Sequence, residues 1–180
     1  MGTTSHTDAP LFECGAEVRV SAPPAEVYAV VSDLPRSAEW SQECIGGTWV
    51  SGEPAAVGSV FRGTNRRSPD VVSWAPVVRG NWDTEAEVVA AEPGRNFRWA
   101  MRTKAGQRQD SVWSFEIEPD GEGCVLAHNF RMGEATEGIR GIIADMDDDE
   151  KRRFFVEWGA KVEQDLAATL RRIKTVIENR

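Results

Sequence analysis

The sequence predicts an α+β fold, a curved antiparallel sheet wrapped around one long C-terminal helix with two short helices after the first strand. Three observations carry this. Residues 147–180 form an unbroken amphipathic helical pattern without proline. Between residues 13 and 132, alternating segments are separated by turns rich in Gly and Pro. The order is strand, two short helical stretches, six or so strands, then the long helix. Hairpin-linked strands with one apolar face need a cover, and only the long helix is large enough. Strong sheet curvature would make the space between them a cavity.

Each element has its own signal. Residues 13–21 alternate, with Val18 and Val20 on one face. Pro23-Pro24 stops that strand, and Pro24 suits the start of a short helix carrying Val27, Tyr28, Val30 and Val31. A second helical turn fits residues 35–40. Strands follow at 47–51 and 59–66, parted by a turn at 52–58. Residues 68–81 contain Pro69, Pro76 and Gly80, fit no period, and read as a long loop. Glu92-Pro93-Gly94 turns between strands 83–92 and 96–103. Residues 111–118 alternate through Trp113, Phe115 and Ile117, and 124–132 through Leu126, His128, Phe130 and Met132. Asp120-Gly121-Glu122-Gly123 makes the hairpin turn between them. A short helix fits within 133–146.

The long helix opens with Asp147 and Glu150 in a D-x-x-E capping pattern. At 100° per residue, Phe155, Trp158, Val162, Leu166, Leu170, Ile173, Val176 and Ile177 share one face. Arg171, Arg172 and Lys174 suit the negative end of its dipole. Its expected length is about 45 Å.

The chain has 180 residues and a net charge of −8, enough for one domain with a real core. Residues 151–180 hold eight Lys/Arg against four Asp/Glu, or +4, so residues 1–150 carry −12. An acidic chain of this kind is a poor candidate for binding nucleic acid or anionic membrane. Cys14, Cys44 and Cys124 are odd in number and far apart, which speaks against a disulfide framework or zinc and for a reducing compartment. The start lacks an apolar signal region, and no apolar run reaches the roughly 18 residues of a membrane span. The expectation is a soluble, cytoplasmic protein, monomer or homodimer, with a tail at 1–12 and one ligand-binding domain at 13–180. No G-x-S-x-G, P-loop or G-x-G-x-x-G is present.

The run V-R-V-S-A-P-P-A-E-V-Y-A-V-V-S-D-L-P (18–35), followed by Trp40, resembles the opening of the START-like (SRPBCC) superfamily, in particular its polyketide cyclase/dehydrase branch. So do G-S-V-F-R-G-T-N-R (58–66), W-D-T-E-A-E-V-V-A-A-E-P-G-R-N-F (82–97), W-S-F-E-I-E-P-D-G (113–121) and L-R-R-I-K (170–174). The resemblance covers most of the chain from Val18 onward. It implies a helix-grip fold, seven antiparallel strands around the C-terminal helix, with a deep ligand cavity. Some members are aromatase/cyclases of polyketide chains, others bind lipids, hormones or hydrophobic metabolites, and some assist chaperones. The loop at 68–81, which carries Trp74, is longer than the usual connection.

Strand alternation assembles an aromatic wall: Phe61, Trp82, Trp99, Met101, Trp113, Phe115, Phe130 and Met132, faced by Trp158 of the helix. Such walls line either a plain core or an apolar ligand site. His128 shares the inward parity of Leu126 and Phe130, as a general acid or base near neutral pH or as a histidine satisfied by a backbone carbonyl. Asn65 shares the parity of Phe61 and Gly63 and offers an amide to an oxyanion. The opposite register would turn Arg62, Thr64 and Arg66 inward, and aromatase/cyclases of the superfamily use an internal arginine. Burying three polar side chains beside Val60 is expensive, which favours Phe61 inward. Gly159 on the apolar helix face leaves room for a ligand or for close sheet packing. The acidic run 145–150 caps the helix; no metal and no cofactor are expected.

The leading function is therefore a cofactor-independent cyclase/dehydrase of secondary metabolism that folds an apolar, polyketide-type substrate, with His128 moving protons and Asn65 steadying the oxyanion. A carrier or sensor of a hydrophobic small molecule needs the same cavity without proton transfer. A protein-interaction module needs a filled cavity and an exposed apolar patch. The segments 68–81 and 133–146 are the candidate gates.

Overall fold

The computed structural model describes residues 9–180. Strand β1 (Phe12–Val20) leads into α1 (Pro24–Val31) and a 3-10 helix (Leu34–Glu39). Strands β2 (Cys44–Ser51), β3 (Val60–Arg67), β4 (Gly80–Glu92), β5 (Asn96–Arg102), β6 (Arg108–Asp120) and β7 (Gly123–Met132) follow. Helices α2 (Glu137–Ile143) and α3 (Asp148–Glu178) close the chain. The seven strands form one antiparallel sheet in the order β1-β7-β6-β5-β4-β3-β2. This is the expected curved open sheet with a long C-terminal helix. Residues 1–8 of the expected tail lie outside the described residues. Leu11 and Phe12, also assigned to the tail above, belong to the sheet: the Leu11 amide donates to Gly133 O at 3.1 Å and β1 starts at Phe12.

Helix α3 begins where the capping pattern places it, with the Asp147 carboxylate accepting from the Glu150 amide at 2.8 Å. Its buried face is Phe154, Gly159, Val162, Leu166, Thr169, Leu170, Ile173 and Ile177. Phe154 is fully buried while Phe155 and Trp158 are half-buried, so the apolar stripe enters through Phe154 rather than Phe155. The two phenylalanines differ by only one 100° step, which periodicity resolves poorly. Lys174 does not cap the helix end. Its ammonium donates to Arg19 O at 2.6 Å and pairs with Glu178 at 2.8 Å, tying α3 to β1.

Helix α3 packs mainly on β1, with a smaller contact on β7. Its C-terminal half forms one core with α1, β6 and β7 through Val27, Val31, Ile117, Leu126, Leu170 and Ile173. Its N-terminal half forms a second core with Phe130, Met132 and Ile139 of α2. Ala75 and Val77 of the long loop are buried in that same cluster. The loop therefore folds over the end of the sheet. Arg79 holds it there, donating to Pro69 O (3.0 Å), Val71 O (2.8 Å), Val72 O (3.1 Å) and Ala75 O (3.1 Å). Trp74 also donates to Glu157 on α3, and Arg153 lies 4.4 Å from the Trp74 ring centre.

Candidate functional site

Cross-strand register turns the concave face into rows of side chains. His128 pairs with Phe115, which pairs with Phe97. The next row is Phe130, Trp113, Trp99 and Val88. Beyond it, Met101 pairs with Ala86 and Ala86 with Phe61. Then come Gly63 with Thr84, and Asn65 with Trp82. The outer rows are sealed at Phe61, Phe97 and Phe115. Trp82, Thr84, Trp99, Met101 and Trp113 point inward, yet each is only half-buried. The concave face over β4–β6 is therefore only partly covered, and α3 packs mainly on β1.

His128 is held at one end of this face, in the row of Phe115 and Phe97. Its ring stacks on Phe115, with centroids 4.1 Å apart and planes 11° from parallel. Trp113 and Trp99 lie 6.0 and 6.2 Å away. Nδ1 sits 2.9 Å from Ser114 O. A carbonyl can only accept, so Nδ1 carries the proton and the neutral ring keeps its lone pair on Nε2. Nε2 makes no hydrogen bond among the described residues. Burial pushes the imidazole down to about 4, opposed by the Ser114 carbonyl, so the ring is neutral at pH 7.

The structure settles the register of β3. Phe61, Gly63 and Asn65 face inward, while Arg62 pairs with Glu85 outside at 2.8 Å and Arg66 is exposed. Asn65 donates its amide to Thr84 Oγ1 at 3.0 Å and more weakly to Trp82 O at 3.4 Å. Its donors are engaged, which leaves Oδ1 as its free function. The fold does not bring Asn65 and His128 together: three strands intervene. On β4 their registers fall at Trp82 and, through Phe97, at Ala91. Those residues are nine positions apart, roughly 30 Å of strand.

Arg67 is the inward cation that the sequence reading missed. The expected strand ended at Arg66, but β3 continues one residue, and Arg67 keeps the inward parity of Phe61 and Asn65. That parity was the available signal. Arg67 clasps Glu43 through Nε at 2.7 Å and Nη2 at 3.2 Å, donates from Nη1 to Val78 O, and covers Trp82 at 4.5 Å. Lys161 of α3 also reaches Glu43 at 2.8 Å and Asp165 at 2.6 Å. This four-residue network joins sheet to helix beside Trp82. Although burial opposes it, Arg67 and Lys161 hold the Glu43 carboxyl below its usual range, and burial raises that of Asp165.

Trp158 faces the wall as expected, 5.9 Å from Phe130, but Phe12 intervenes at 5.2 Å from Trp158 and 5.9 Å from Phe130. A Cβ at Gly159 would lie 2.6 Å from the Phe12 ring, so Gly159 serves close sheet packing and not a ligand. The three cysteines are free thiols. Burial and then Glu163 push Cys14 to about 11, which leaves it a poor nucleophile. Among the described residues no helix is long and apolar enough to cross a membrane.

A grip of seven antiparallel strands on one helix is the helix-grip architecture. The chain belongs to the family described as polyketide cyclase / dehydrase and lipid transport, which matches residues 13–178. None of the curated proteins matches it. Among solved structures, the polyketide-cyclase-like protein Cgl2372 of Corynebacterium glutamicum is 29% identical, with a TM-score of 0.55 over 93% of this chain and 94% of that one. The di-domain aromatase/cyclase BexL of the BE-7585A biosynthetic pathway is 18% identical, with a TM-score of 0.66 over 94% of this chain and 50% of BexL. The Aha1 dimer from Colwellia psychrerythraea is 12% identical, with a TM-score of 0.54 over 93% and 97%. The last two likenesses speak to fold alone.

Proposed function

We propose that this protein is a cofactor-independent cyclase/dehydrase that binds an apolar, polycarbonyl small molecule in the cleft over β4–β6. The observation that carries the reading is a neutral, buried histidine set beside Trp99 and Trp113, two inward tryptophans that are only half-buried. Trp99 and Trp113 offer flat faces to a planar or folding chain. Nε2 of His128 takes a proton from a carbon between two carbonyls, and the resulting carbanion attacks a second carbonyl of the same molecule to close a ring. With its pKa held low, the imidazolium is a strong acid and returns that proton to the new alkoxide, giving a hydroxyl. Nε2 then takes the second proton from the same carbon and delivers it to the hydroxyl, which leaves as water with formation of the double bond. Holding the two reacting ends together supplies most of the rate, an effect worth about 7–11 kcal/mol in well-oriented systems.

Asn65 takes a different role from the one first expected, and Arg67 joins it. Their distance from His128 suits the polar far end of an elongated substrate, where Arg67 retains one free N–H on each terminal nitrogen. The loop carrying Trp74 and the α2 segment are the proposed gates to this space. The test is native mass spectrometry of protein from its own source, followed by denaturing extraction and turnover assays with linear precursors. Retention of a polyketide-like molecule and turnover that fails in His128→Gln support the proposal. A bound molecule with unchanged turnover in that variant removes His128 from the mechanism. Binding without turnover of any precursor makes the protein a carrier.

A further inference from the structure

Eleven of the seventeen arginines pair with a carboxylate. Among the described residues six do not: Arg66, Arg79, Arg95, Arg140, Arg171 and Arg172. In a chain of net charge −8, acidic partners are plentiful, so an unpaired arginine is the exception. Four of the six line two surface grooves that share Gln42. One groove, about 530 Å³, runs between the 3-10 helix and α3, and the other, about 510 Å³, lies beyond β3 beside the long loop.

The α3 side of the first groove is Ala168, Arg171, Arg172, Thr175 and Val176. These positions are spaced 0, 3, 4, 7 and 8, so they form a single helix face. Ala168 and Val176 are half-buried and give an apolar floor, while Arg171 and Arg172 are exposed beside it. Arg172 donates only to Ser41 O, at 3.4 Å, and Arg66 is exposed in the second groove. An apolar floor flanked by cations is the complement of an amphipathic helix with acidic flanks. Guanidinium forks match carboxylates in pairs. A lone phosphate would engage one or two arginines, not the three exposed ones, Arg66, Arg171 and Arg172, spread over two grooves; Arg79 is spent on the loop carbonyls.

We infer that the grooves meeting at Gln42 form a docking surface for an acidic amphipathic helix of a partner protein. The second groove also includes Arg67 of the proposed substrate site, so the test varies only Arg66, Arg171 and Arg172, which take no part in that chemistry. The probe is a fluorescent helical peptide of Leu, Ala and Glu with leucines along one face, followed by anisotropy at low and high salt. Parallel titrations use inorganic phosphate and vesicles of anionic phospholipid. The wild-type protein binds the peptide, high salt weakens it, and the Gln42 side-chain amide shifts in NMR spectra. Arg66→Gln/Arg171→Gln/Arg172→Gln weakens binding by about tenfold or more with an unchanged melting temperature. Equal affinity in that variant, or no peptide binding, overturns the inference. So does a Gln42 response to phosphate or vesicles at concentrations where the peptide gives none.

Discussion

His128 stacks face to face on Phe115, one strand away, while its Nδ1 bonds the carbonyl of Ser114 beside that phenylalanine. One neighbouring strand thus fixes both the plane and the tautomer of the ring, and the same burial that fixes it keeps it uncharged.

That burial has a pH signature. The folded pKa of about 4 lies below the ordinary 6.5, so between these values the unfolded chain binds a proton that the folded one does not. The stabilisation is complete above about pH 6.5 and is lost as pH falls toward 4, by about 3 kcal/mol in all. Thermal melts from pH 7.5 to 4.5 should show a steeper acid loss in the wild-type protein than in His128→Gln. Parallel losses would contradict the neutral buried imidazole.

Glu43 receives both Arg67 and Lys161. Glu43→Ala leaves two half-buried cations facing each other and should cost about 2 kcal/mol, less than for a fully buried pair. Chemical denaturation measures it. Replacing Lys161 by Met costs less, because Arg67 and Glu43 keep their bidentate pairing.

Gly159→Ala improves helix propensity by about 1 kcal/mol yet brings a methyl group to 2.6 Å from the Phe12 ring. The variant should be net destabilised by about 1–2 kcal/mol. The added Phe12→Leu substitution should relieve part of that cost in a double-mutant cycle. Additive effects would place Phe12 elsewhere.

Arg79→Ala removes one guanidinium from four loop carbonyls. Amide exchange over residues 71–77 should accelerate by about tenfold or more, while exchange in β6 and β7 stays the same. Equal protection in variant and wild type would show that the buried Ala75 and Val77 hold the loop unaided.

Fold and wall were legible in the sequence because each depends on a local period. Alternation through Leu126, His128 and Phe130 orients His128 within its own strand, and the D-x-x-E at Asp147 marks the helix start. What the sequence did not carry depends on relations between elements. No single-strand pattern tells that Asn65 and His128 lie at opposite ends of the face, because that follows from four pairings with their bulges. Arg67 escaped notice because the end of β3 is set by pairing with Gly80, not by hydrophobicity. The loop of residues 68–79 lacks any period, so the burial of Ala75 and Val77 against α2 and α3 is visible only in the folded chain.

The central claim is that the cleft over β4–β6 receives an apolar small molecule. It is tested most directly by titrating a planar polycyclic phenol into labelled protein and following the indole N–H signals by NMR. Trp99, Trp113 and Trp82, half-buried on the concave face, should shift in a saturable manner, whereas Trp40, sealed under α1, should not. No saturable shift, or a shift at Trp40 with none at Trp99 and Trp113, would contradict the account.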